Sequence, residues 1–122
     1  MRYLDSRMIR HKLEGYGCKV MNEGRFGEFA GVKATTEEVK QICVGVGGKV
    51  YVMDARVFYD SRTGDMNPEG DISVYLRGVM EEKDYDQGEL ETRDPDNDEA
   101  ETAEIIRMCI SYSIREKYLG KR

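Results

Sequence analysis

The stretch TTEEVKQICVGVGGKVYVMDARVFY, residues 35–59, carries the signals on which the fold turns. Thr35 followed three residues later by Glu38 has the form of a capping box, in which two side chains satisfy backbone amides at a helix start. Val39, Ile42, Cys43 and Val46 then recur at i, i+3, i+4 and i+7, the spacing of one helical face. These features predict a helix over 36–46, ended by Gly45, Gly47 and Gly48. Residues 49–59 are rich in β-branched and aromatic side chains, with Val50, Val52, Val57 and Tyr59 available to a buried face, and predict a long strand. Tyr51, Met53 and Phe58 cannot share one face with all those valines in strict alternation, so a bulge or bend is expected near Ala55.

Downstream, DSRTGDMNPEGD at 60–71 concentrates Asp, Gly, Asn and Pro, the composition of a long loop between paired strands. Ile72, Val74 and Leu76 alternate with Ser73, Tyr75 and Arg77 and predict a half-buried strand antiparallel to 49–59. From 81 to about 96, like charges with Gly88 and Pro95 leave little to bury, so an exposed loop is expected. Ala103, Ile106, Ile110 and Ile114 then fall in a helical row, capped by Asn97 or Asp98 and ended by Gly120, with acids in the first turn and bases in the last as the helix dipole prefers. Upstream, Leu4, Met8, Ile9 and Leu13 form an apolar stripe stopped by Gly15 and Gly17, a first short helix. Between them, CKVMNEGRFGEFA offers a hairpin around Glu23-Gly24. The order predicts an α+β fold, a small antiparallel sheet of about four strands covered by two or three helices, with a long C-terminal helix.

The chain has 122 residues, the size of a single domain over 1–122 with an exposed acidic segment at 81–98. Nineteen Lys and Arg stand against 24 Asp and Glu, which disfavours direct nucleic-acid binding by the whole molecule. The charge is uneven. Between 81 and 104 twelve acids face only Lys83 and Arg93, a net charge of −10, whereas the remainder sums to +5. No apolar run suits a membrane helix, and the start MRYLDSRMIR lacks the apolar core of a secretory signal, so a cytoplasmic protein without membrane contact is expected. Three widely spaced cysteines, Cys18, Cys43 and Cys109, read as reduced core thiols.

Catalytic signals are weak. Cys18, Cys43, Cys109 and His11 make a Cys3His count without the paired knuckle spacing of structural zinc, so no metal or cofactor is expected. His11 sits among Arg7, Arg10 and Lys12 with no partner for acid–base work, which suits a surface helix. Asp94, Asp96 and Asp98 copy the first oxygens of a calcium loop, but Glu99 replaces its turn glycine and Ile105 its bidentate Glu. Gly45, Gly47 and Gly48 precede rather than follow a strand, unlike a phosphate loop. Asp54 is the one acid in an apolar run and is expected to face solvent or mark the bulge.

The acidic run is therefore the leading candidate. It reads as the surface of a non-enzymatic binding protein that occupies a basic groove of a nucleic-acid-handling protein, competing with phosphates by the same electrostatics. The contact residues are Glu81, Glu82, Asp84, Asp86, Glu89, Glu91, Asp94, Asp96 and Asp98, with Tyr85, and Tyr59 and Tyr75 nearby, as aromatic anchors. In size and charge the chain is similar to virus-encoded inhibitors of bacterial defence systems, anti-CRISPR proteins among them, many of which block nucleic-acid-binding proteins. The alternative is a small-molecule or nucleotide-binding module holding an anion with Arg56, Arg62, Arg77 or Arg107, and the third reading is a metal-dependent enzyme. Tyr112, Ile114, Tyr118 and Leu119 lie on more than one face of the last helix, which admits a homodimer.

Overall fold

A computed structural model describes residue 4 and residues 6–21, 27–28, 37–60, 62–68, 70–89 and 91–119. In chain order the elements are helix α1 (Ser6–Gly15), strands β1 (Lys19–Val20) and β2 (Gly27–Glu28), three ten-residue strands β3 (Glu37–Val46), β4 (Lys49–Phe58) and β5 (Ile72–Glu81), a five-residue helix α2 (Glu82–Asp86) and helix α3 (Asn97–Leu119). The sheet is antiparallel in the order β1-β3-β4-β5, with β2 also paired to β3. The fold is α+β, as the order of elements predicts.

The helix expected over 36–46 is instead a strand. Val46, Gly47, Gly48 and Lys49 form a two-residue hairpin turn in which both glycines have positive φ, +62° and +77°. That backbone matches the right-handed twist of paired strands, so β3 and β4 close in register from Val46↔Lys49 to Glu37↔Phe58. The helical spacing of Val39, Ile42, Cys43 and Val46 is the coincidence of a strand buried on both faces. Ile42 and Val44 belong to one core and Cys43 to another. Thr35 of the expected capping box and the expected turn at Glu23-Gly24 lie outside the described residues. The two short strands flanking that turn pair with β3 rather than with each other.

β4 is the central strand and is buried on both faces. Tyr51, Met53, Ala55 and Val57 point into the main core, while Val50 and Val52 point to a smaller cluster with Cys43 and Met80. This two-sided burial resolves the clash that predicted a break near Ala55. The irregularity lies instead on β5, where Val52 pairs with Gly78 and Met53 with Leu76, so that Arg77 is the extra residue of a bulge.

The main core joins one face of the sheet to α1 and α3. Leu4, Ile9 and Leu13 meet Ile106, Ile110 and Ile114, all fully buried. Each such side chain contributes about 1.5–3 kcal/mol, so the inner face of α3 fixes that helix on the sheet. α1 ends where Gly17, at φ +79°, turns the chain and the Cys18 amide donates back to the Leu13 carbonyl at 3.0 Å. No described helix is long and apolar enough to cross a membrane.

Residues 82–96 carry the chain around the β5 edge. Tyr85 packs on the smaller cluster at one face, and α3 packs on the main core at the other. Between them Val79 and Arg93 exchange both backbone hydrogen bonds at 2.9 Å. Gly78 makes the crossing possible, because a Cβ there would lie 2.5 Å from the Thr92 side chain and 3.0 Å from the Arg93 carbonyl. Gly78→Ala should cost about 1–3 kcal/mol and Gly78→Val more, and Thr92→Gly should recover part of the Gly78→Ala loss. Denaturant midpoints check this, and equal stability of Gly78→Val and wild type would refute the close approach.

Candidate functional site

The acidic segment is not a loop throughout, since it includes the helical turn α2 and the bridged residue Arg93. Glu81 closes β5, and Glu82, Asp84, Tyr85 and Asp86 lie in α2. Glu89, Glu91 and Asp94 follow on an irregular strap, and Asp96 and Asp98 flank the first residue of α3. Glu81, Glu82 and Asp84 are half-buried, whereas Asp86, Glu89, Glu91, Asp94, Asp96 and Asp98 are exposed. Tyr85 rests partly buried against the smaller core and anchors α2, and Tyr59 packs on the main core. Tyr75, at 40% exposure, is the one of the three that reaches solvent freely.

The strap is fixed by Glu99, an acid that sequence reasoning places merely in the first helical turn. Its side chain is only 4% exposed. Arg93 donates to it with both guanidinium arms, at 2.6 and 2.7 Å, and Lys49 Nζ donates at 2.6 Å. The cap of α3 is Asp96, not Asn97 or Asp98. Asp96 Oδ1 accepts the Glu99 amide at 2.8 Å, and Glu99 Oε1 accepts the Asp96 amide at 2.9 Å. The signal for this box, Asp96-Asn97-Asp98-Glu99, stands in the sequence. The Arg93 guanidinium, the Asp96 amide and Lys49 hold the Glu99 carboxyl well below the usual carboxylate range, and the Arg93 pKa rises in turn.

Arg93 also lies 3.5 Å from Glu81. The segment's arginine is thus ion-paired within the strap, and between Asp86 and Asp98 six carboxylate residues are exposed. Two recesses border it. One of about 250 Å³ is lined by Lys49, Tyr51, Asp96, Asp98 and Thr102 at the start of α3. The other, about 200 Å³, lies between β5 and α3 and is lined by Tyr75, Leu76, Pro95, Ala100, Ala103 and Arg107.

The four arginines of the alternative reading lie on β4, the 60–71 loop, β5 and α3. Arg56 stands on β4, and Arg62 lies in the 60–71 loop beside Asp60 at 3.7 Å. Arg77 turns from the bulge toward Asp54, and Arg107 on α3 is ion-paired with Glu104. Asp54 does not face solvent as its place in the sequence suggests. It is 4% exposed, with Oδ2 3.8 Å from Arg77 Nε and Oδ1 buried without a hydrogen bond among the described residues. It points to the sheet face opposite the main core, because β4 alternates.

His11 is exposed on α1. The cysteines are free and buried, Cys18 and Cys109 in the main core and Cys43 across the sheet from them. Burial pushes the Cys43 thiol up to about 11 and raises the other two. Among the described residues no three His, Cys, Asp or Glu side chains converge as metal ligands. No family model, curated protein or solved structure matches the chain.

The chemistry in reach of solvent is therefore that of grouped carboxylates on a pinned strap. Because Glu99 has a depressed pKa, its stabilisation is complete above the ordinary value of 4.5 and is lost as pH falls below it. Glu99→Gln should unfold earlier in denaturant at pH 7, and its deficit against wild type should shrink below about pH 4.5. Denaturation at several pH values reads both, and a deficit that does not change with pH would refute the ionic anchor.

Proposed function

We propose that this chain is a non-enzymatic binding protein whose acidic strap occupies a basic surface of a nucleic-acid-handling protein. The observation that carries the reading is the density of exposed carboxylates on the strap. Six exposed carboxylates lie between Asp86 and Asp98, while Arg93 and Lys49 are paired with Glu99. A pinned array of like charges attracts a cationic groove at long range and loses little conformational freedom on docking. Beside it, the recess at Tyr75, Pro95 and Arg107 gives a partner an apolar foothold next to the charges. Arg62, Arg77 and Arg107 of the anion-binding alternative each stand beside a carboxylate, Asp60, Asp54 and Glu104, which gives that reading no comparable support. An inhibitor that competes with nucleic acid, of the kind that viruses direct at bacterial defence enzymes, is the biological form this surface suits.

The test uses a variant with Glu89→Gln, Glu91→Gln, Asp94→Asn and Asp98→Asn, which leaves the Asp96–Glu99 box intact. Affinity capture from host lysate by wild type should retain a cationic nucleic-acid-binding protein, identified by mass spectrometry, and excess wild type should displace its nucleic acid. The variant should associate with that protein about tenfold or more slowly at low ionic strength, with a flatter salt dependence. Equal association of wild type and variant would overturn the proposal.

A further inference from the structure

The outward face of α3 carries a seam that its own protomer leaves uncovered. Glu101, Ile105, Met108, Tyr112 and Arg115 follow one another at intervals of four, three, four and three, the repeat by which two helices lie side by side. Ile105, Met108 and Tyr112 are 56%, 40% and 52% exposed, although the opposite side of the same helix already supplies Ile106, Ile110 and Ile114 to the core. A helix that only covers a sheet presents polar residues outward, so three large apolar side chains in one row mark a second contact.

We infer that α3 packs antiparallel on α3 of a second copy of this chain, with the two-fold axis beside Met108. The charges select this occupant. Glu101 and Arg115 stand seven residues to either side of Met108, so an antiparallel pair sets each Glu101 beside the second copy's Arg115, twice by symmetry. A parallel pair would oppose Glu101 to Glu101 and Arg115 to Arg115. Among the described residues neither Glu101 nor Arg115 has an ion-pair partner in its own protomer. Glu116, the remaining acid at that end, is held by Lys12 of α1 at 3.1 Å. The Arg115 guanidinium lies 5.8 Å from the centre of the Tyr112 ring, which keeps it along the seam. Ile105 and Tyr112 then meet across the axis and enclose the two Met108 side chains, whose flexible thioethers fill such a gap. Antiparallel alignment also opposes the two helix dipoles favourably.

The seam is short, so the dimer belongs to the small, reversible class and dissociates in the micromolar range. Sedimentation equilibrium of the full chain over roughly 1–300 µM should show a monomer–dimer equilibrium that weakens as salt rises. Met108→Glu and Ile105→Glu should each leave a monomer throughout that range, with the melting temperature of the dilute protein unchanged because both positions are exposed. Glu101→Arg and Arg115→Glu should each raise the dissociation constant by up to about fivefold, and the Glu101→Arg/Arg115→Glu double variant should return toward wild type. A wild type that stays monomeric overturns the inference. So does a Met108→Glu variant that dimerises like wild type, or a double charge swap weaker than either single change.

Discussion

The strap, the start of β4 and the start of α3 all depend on one carboxylate. Glu99 is withdrawn from water, and an ionised acid can stay there only with its oxygens fully engaged. Two arms of Arg93, the Lys49 ammonium and the Asp96 amide supply that engagement. The arrangement ties residues fifty positions apart, which local chain preference could not do. It also opposes the self-repulsion of a segment with a net charge of −10, since like charges at that density favour an extended ensemble. The same contact lowers the positive charge the segment can offer, because both cations it recruits are ion-paired to Glu99.

The second constraint is that β4 is buried on both faces from Val50 to Ala55. A central strand buried on both sides needs cover for each, and the chain provides two helices on one side and the Tyr85–Met80–Cys43 cluster on the other. The strap must therefore cross the edge of β5 to connect them. Gly78 and the bulge at Arg77 are the local devices that admit the crossing, one by lacking a side chain and the other by re-aiming the strand.

Where burial is one-sided, the sequence was legible. α1 and α3 follow the helical row of Leu and Ile residues and stand close to their expected bounds, whereas β5 follows the alternation of Ile72, Val74 and Leu76 but runs four residues past Arg77, to Glu81. β3 was not legible from periodicity, because Val39, Ile42, Cys43 and Val46 serve two faces and so imitate one helical stripe. The Gly47-Gly48 pair between two β-rich runs held the better signal, a tight hairpin. For the candidate site, composition located the acidic segment but could not separate Glu99 from the eleven other acids between 81 and 104. What singles out Glu99 is the arrival of Lys49, a tertiary fact, although the Asp96–Glu99 box was written in the local sequence. Asp54 was misplaced for the same reason as β3, since its apolar neighbours belong to two faces rather than one.

The Val79–Arg93 backbone pair has a consequence for the life of the protein in a crowded solution. β5 ends the sheet, and an uncovered terminal strand is a template on which other chains can add and aggregate. The strap closes part of that template with a ladder rung of its own and surrounds it with carboxylates that repel further strands. The acidic strap thus also covers part of the sheet's edge. Release of the strap would bare that part of the β5 edge, the arrangement on which further strands add.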